Sequence, residues 1–129
     1  MYRFSYAEIL NETPQSARER QRLAIEHSIG LLAAAQEKGV NSREASKALR
    51  FLRRLWVMLI EDFAKPANAN PKQRRADLLS IGLWIIREAE DVSLGKSSDL
   101  NGLLEVSRTI AAGSNAPGGD GEDQDIVRR

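Results

Sequence analysis

His27 is the only histidine of this 129-residue chain, and cysteine is absent, so the chemistry open to the sequence is narrow from the start. A catalytic base needs an oriented partner and a nucleophile within reach, and no such set can be picked out. A structural zinc site normally takes four Cys or His ligands, which one histidine cannot supply. On a helix, His27 points nearly opposite Ile25, Ile29 and Leu32, beside Leu23, Gly30 and Ala34; it reads as a surface or interface residue. Glu61-Asp62 and Glu88-x-Glu90-Asp91 are acidic, but adjacent helical positions point in different directions, so Glu61-Asp62 forms no dyad. The two clusters could meet across a helix pair, yet a di-metal bundle site also expects Glu-x-x-His pairs, which are missing. Asp120-Gly-Glu-Asp-Gln-Asp125 lacks the register and closing glutamate of a calcium loop. The glycines form no phosphate-binding loop. The sequence therefore predicts no catalytic residues, no metal, no cofactor and no small-molecule substrate: it does not read as an enzyme.

A row of cations is the stronger lead. Arg43, Lys47, Arg50 and Arg54 recur at i, i+4, i+7 and i+11, so they line one helix face opposite its apolar side. The plain reading is a solvated face. Contact with phosphates would be salt-sensitive and blind to sequence, and no aromatic side chains are interleaved for base stacking. RNA is therefore less favoured than acidic groups on a protein partner.

Two tryptophans carry the remaining information. Trp56 lies in the middle of an apolar arc and reads as core. Trp84 sits at the edge of the stripe Leu78, Ile81, Gly82, Ile85, Ala89, while Leu83 and Ile86 carry apolar character towards the far side. A helix apolar nearly all round is either enclosed or covers its surplus face with a partner, and tryptophan is enriched at interface hot spots. The partner-binding residues predicted here are Trp84, Leu83, Ile86, Ile81, Arg50 and Arg54. Gly82 inside this helix costs about 1 kcal/mol relative to alanine, which makes sense if another helix approaches closely there.

These residues must be positioned by helices, because every long segment has helical periodicity and turn residues recur along the chain. Thr13-Pro14 opens a first helix and Gly39 closes it, with Ile25, Ile29 and Leu32 on one face beside Ala24, Leu31 and Ala35. Asn41 with Glu44 is a capping-box arrangement for the second. That helix places Ala45, Leu49, Leu52, Trp56, Leu59 and Phe63 in one stripe, which Phe51, Leu55 and Ile60 widen to about half the circumference. An amphipathic surface helix needs about 100°, so this one should be central and packed on two sides. Pro66 forces its end. Asn70-Pro71 supplies a cap and first-turn proline for a third helix over 71–94, with Gly95 just beyond it. A fourth begins near Ser97 or Ser98, turns Leu100, Leu103, Leu104, Ser107, Ile110 and Ala111 inward, and stops at Gly113. Residues before Thr13 form a further short helix or an arm, pinned by Tyr2, Phe4 and Tyr6.

The expected fold is all-α: a bundle of four main helices over residues 1–113, antiparallel because the connections are short. Residues 114–129, rich in Gly, Asp and Glu with little to bury, are expected to be a disordered tail. The length suits one domain. A formal net charge of +1 points to neither nucleic acid nor membrane through an overall field. No apolar run approaches the ~20 residues that span a bilayer, and the N-terminus lacks a signal-peptide core. With no cysteines, the expectation is a soluble cytoplasmic protein.

Three stretches are distinctive together: the opening Tyr2-Arg-Phe-Ser-Tyr-Ala-Glu8; Arg54-Leu-Trp-x-x-Leu-Ile-Glu-Asp62 followed by Pro66-x-Asn68; and Leu79-Ser-Ile-Gly-x-Trp84. In these the chain resembles the FlaF family of flagellar biosynthesis regulators of alphaproteobacteria, over roughly residues 1–112. The resemblance implies a small cytoplasmic protein, not an enzyme, that promotes flagellin production and secretion in opposition to a second regulator, FlbT. It further implies flagellin as a directly bound, chaperoned partner. An RNA-binding activator of flagellin translation, working through the row from Arg43 to Arg54, is the alternative. An adaptor acting only through another regulator is the third reading.

Overall fold

The computed structural model describes residues 14–66, 68 and 70–114, and within them side chains from 17 to 113. Four helices account for nearly all of these: α1 (Pro14–Lys38), α2 (Arg43–Phe63), α3 (Lys72–Ser93) and α4 (Leu100–Ser114). The expected all-α bundle of four main helices is what the chain forms. The N-terminal arm and the tail predicted for 114–129 lie outside the described residues, apart from Ser114 at the end of α4.

Helix ends follow the local chemistry, with shifts of one or two residues. Gly39 and Gly95 terminate α1 and α3 at φ of 105° and 80°, backbone that L side chains rarely adopt. The cap of α2 is Ser42 and not Asn41. Ser42 Oγ accepts from the Ala45 amide at 3.1 Å and donates to the Gly39 carbonyl at 2.6 Å, which leaves Asn41 inside the turn closed by Ser42 N on Gly39 O. At α3 the cap position falls on Pro71 rather than Asn70, with no side-chain cap hydrogen bond; Asn70 instead turns back on Asn68, both its nitrogens donating to Asn68 Oδ1. The fourth helix starts at Leu100, later than expected. Ser97 Oγ donates to Glu88 and accepts from the Asp99 amide, and the Asp99 carboxylate receives the Gly102 amide at 2.8 Å. Gly113 does not stop α4, which continues to Ser114.

Packing makes α2 the central element. It lies against both α1 and α3, α1 carries α4 on its other side, and α3 and α4 meet only lightly. The apolar stripe of α2 (Ala45, Ala48, Leu49, Leu52, Leu55, Trp56, Leu59 and Phe63) is buried throughout, as an arc wide enough for two neighbours requires. Ile25, Leu32 and Ala35 of α1 join it, with Leu78, Ile85, Ala89 and Val92 of α3 and Leu103, Leu104 and Ile110 of α4. The expected inward faces of all four helices are thus the ones that pack. Ser28 is buried with them and donates to the Ile25 carbonyl at 2.6 Å.

Both ends of the bundle are tied. At one, Val40 and Asn41 border Val92 and Lys96 around a shallow open depression, and Gln36 donates to Asn101 from α1 to α4. At the other, Arg75 Nη1 donates to the carbonyls of Lys65 (2.9 Å) and Phe63 (3.4 Å). Asn68 Nδ2 holds both the backbone and the carboxylate of Asp62. Arg75 thereby supplies a charged donor to carbonyls at and just beyond the end of α2.

Candidate functional site

Gly82 fixes how α3 meets α2. A Cβ at this position would sit 2.8 Å from Trp56 Cε3 and 3.0 Å from Ile60 Cγ1, so the two helices touch with no room for even a methyl group. The close approach expected of Gly82 is present, and Trp56 is its floor: a core residue 1% exposed.

From this seam the faces can be followed at 3.6 residues per turn. On α3 the buried residues Leu78, Ile85, Ala89 and Val92 fall to one side of Gly82. Leu79 and Ile86 fall to the other, both partly buried against the core, with Leu83 beyond them at 61% exposure. On α2, Ile60 lies at the seam, and Val57, three residues earlier and 45% exposed, lies beyond it on the solvent side. Val57, Ile60, Leu79, Leu83 and Ile86 therefore border one groove on the outside of the α2–α3 pair.

The solvent face of α2 continues from Val57 through Arg50 and Arg54, both exposed. The same face carries Arg43 and Lys47 and ends at Glu61. Among the described residues, no acidic side chain forms an ion pair with Arg43, Lys47, Arg50 or Arg54, so the basic row of α2 is left uncompensated by any of them. On α1 the Arg22 guanidinium donates to Glu19 and holds its carboxyl below the ordinary value.

The predicted partner-binding residues thus divide. Leu83 and Ile86 share the groove with Val57, next to Arg50 and Arg54. Trp84 and Ile81, spaced i, i+3, occupy the other flank of α3; Trp84 is 40% exposed and Ile81 partly buried. Trp84 is not enclosed, in contrast to Trp56, but it does not look onto the groove beside α2. Val57 and Met58 do not stand out in the sequence, because their type fits the apolar run from Leu55 to Ile60. Their exposure, 45% and 63%, appears only once α1 and α3 are seen to cover other sides of α2. His27 is exposed and meets Phe51 edge-on, with ring centroids 4.8 Å apart, a packing contact at the α1–α2 seam.

Among the described residues, no three His, Cys, Asp or Glu side chains gather closely enough to hold a metal ion. No helix of the described residues is long and apolar enough to cross a membrane. What the surface offers is recognition: an apolar groove beside a row of cations.

Neither a curated protein nor a solved structure matches the chain. The family model described as flagellar protein FlaF matches residues 2–113, a span that takes in α1 to α3 and all but the last residue of α4. The distinctive motifs around Trp56, Asn68 and Trp84 are the same ones that build the α2–α3 pair, and the chain belongs to the FlaF family of flagellar proteins.

Proposed function

We propose that this member of the FlaF family is a non-enzymatic regulator of flagellum biogenesis. It binds flagellin in the cytoplasm as a chaperone would, and so supports flagellin synthesis and export. The observation that carries this reading is the surplus apolar surface of the α2–α3 pair. Val57 and Leu83 stand exposed beside a seam whose core is already complete, and Trp84 stands exposed on the other flank of α3. Grooves of this kind take the apolar face of an amphipathic helix, and the terminal helices of flagellin need such cover before assembly. Leu83, Ile86, Arg50 and Arg54 would contact the bound segment on the α2 side of α3, and Trp84 with Ile81 on the other side.

The test is direct. Purified chain and monomeric flagellin should co-elute as a stoichiometric complex and give binding heat in calorimetry. An interface anchor costs about 2 kcal/mol or more of binding on truncation, so Leu83→Ala and Trp84→Ala report on the two flanks of α3 separately. Absence of both co-elution and heat with wild-type protein would refute flagellin binding.

A second reading is favoured by the uncompensated row Arg43, Lys47, Arg50 and Arg54: translational activation through flagellin message. Selective retention of flagellin leader RNA at physiological salt, lost when the row is changed to glutamine, would put it first. If neither flagellin nor RNA binds, action through FlbT is the reading left.

A further inference from the structure

We infer that the α2–α3 groove takes an amphipathic helix whose apolar stripe is bordered along one edge by acidic side chains, with that edge lying over α2. This rests on the groove used for the proposed function and adds the chemistry and orientation of what enters it.

The two lips of the groove differ in charge. Beyond Val57 the α2 lip carries Arg50 and Arg54, seven and three residues before it, with Lys47 and Arg43 continuing the row, and half-buried Arg53 lies on the seam side of Val57. None of these five has an ionic partner among the described residues. In line with Leu83 or beyond it, the α3 lip carries Lys72, Ser80, Arg87 and Glu90, charges of both signs spread along the helix. A helix lying on Val57, Ile60, Leu83 and Ile86 therefore meets a one-signed field on a single side. Acidic side chains there gain complementary charge, and basic ones there meet like charge.

The field also has a direction along α2. It is positive from Arg43 to Arg54, apolar at Val57 and Met58, and negative at Glu61 and Asp62. The stretch from Arg50 to Glu61 rises about 17 Å, roughly three helical turns. The favoured occupant is thus a short helix with its acidic residues towards the start of α2 and none opposite Glu61.

The same gradient disfavours nucleic acid. A phosphate backbone continuing past Arg54 would run onto Val57, Met58 and two carboxylates. The nearest aromatic side chains do not offer stacking faces beside the row: Trp56 is buried, Phe51 packs against His27, and Trp84 lies on the other flank of α3. Base stacking on exposed aromatics is what single-stranded RNA recognition generally uses.

The experiment uses two synthetic helical peptides of about four turns that share one leucine stripe at i, i+3, i+4 and i+7. One carries glutamates along a single edge, the other lysines at the same positions. Anisotropy titrations with the full chain should show the glutamate-edged peptide bound at least about tenfold more tightly. The double variant Arg50→Glu/Arg54→Glu, with its helical circular dichroism unchanged, should invert that preference, and Leu83→Asp should weaken both peptides. Equal binding of the two peptides, no binding of either, or a preference that survives the charge reversal would overturn the inference. So would tighter binding of a single-stranded RNA oligonucleotide than of either peptide. Titrating flagellin in parallel separates the two claims. Flagellin binding without peptide discrimination sinks only the acidic edge, whereas discrimination without flagellin binding sinks only the flagellin reading.

Discussion

Replacing Gly82 with alanine isolates the contact on which the α2–α3 groove depends. In an isolated helix the change is favourable by about 1 kcal/mol, since glycine spends more backbone entropy on helix formation than alanine. In the folded protein the new methyl would lie 2.8 Å from Trp56 Cε3 and 3.0 and 3.1 Å from two carbons of Ile60. Carbon atoms in contact prefer about 3.5–4.0 Å, so α3 must retreat by roughly 0.5–1 Å or Trp56 must turn. Trp56 is 1% exposed and has nowhere to go. Overpacking of this kind costs about 1–3 kcal/mol, and a gap of that size forfeits a quarter to a half of the dispersion well for atoms along the seam. The expected balance is a net loss of about 1 kcal/mol. Gly30 supplies the control: it lies within α1, is exposed, and a Cβ there would meet nothing within 4 Å. Gly30→Ala should therefore stabilise by up to about 1 kcal/mol. The two variants, equivalent in a peptide, should differ by about 2 kcal/mol here, or roughly 6–10 °C in Tm for a domain of this size. Thermal and urea melts followed by circular dichroism measure this. If Gly82→Ala melts as high as Gly30→Ala, the helices do not approach as described and the groove geometry falls with them.

Other expectations are shorter to state. Trp56→Ala should destabilise by ~3–5 kcal/mol as a core truncation, while Trp84→Ala, at a half-exposed site, should leave the melt within about 1 kcal/mol of wild type; denaturant titration of both would check this. Arg75→Met should cost about 1–3 kcal/mol, because it removes the charged donor from the carbonyls of Lys65 and Phe63, and amide exchange at the end of α2 should quicken with it. Ser107 Oγ is buried with no hydrogen-bond partner among the described residues. Ser107→Ala should therefore be neutral or raise stability by about 1 kcal/mol, and a clear loss in the same melts would show that the hydroxyl is bonded after all.

By itself, the sequence determined the four helices, their inward faces and the places where the chain turns. Those features depend on 3.6-residue periodicity and on residues whose backbone preferences act locally, such as Gly39, Pro66 and Gly95. The special place of Gly82 beside Trp56 was also legible, because a costly glycine within an apolar helix points to a close neighbour. The caps lie one or two residues beyond Asn41, Asn70 and Ser97: Ser42 and Asp99 win over neighbouring hydrogen-bonding side chains because the folded turn decides which one faces the free amide, while Pro71 makes no side-chain cap. Tertiary structure alone decided that Arg75 closes the end of α2, that Val57 and Met58 stay exposed within an apolar run, and that Leu83 and Trp84 look out on opposite flanks of α3. Periodicity assigns each side chain to a direction around its own helix. Which directions are covered depends on where neighbouring helices lie and how closely they approach, and those contacts join residues far apart in the chain.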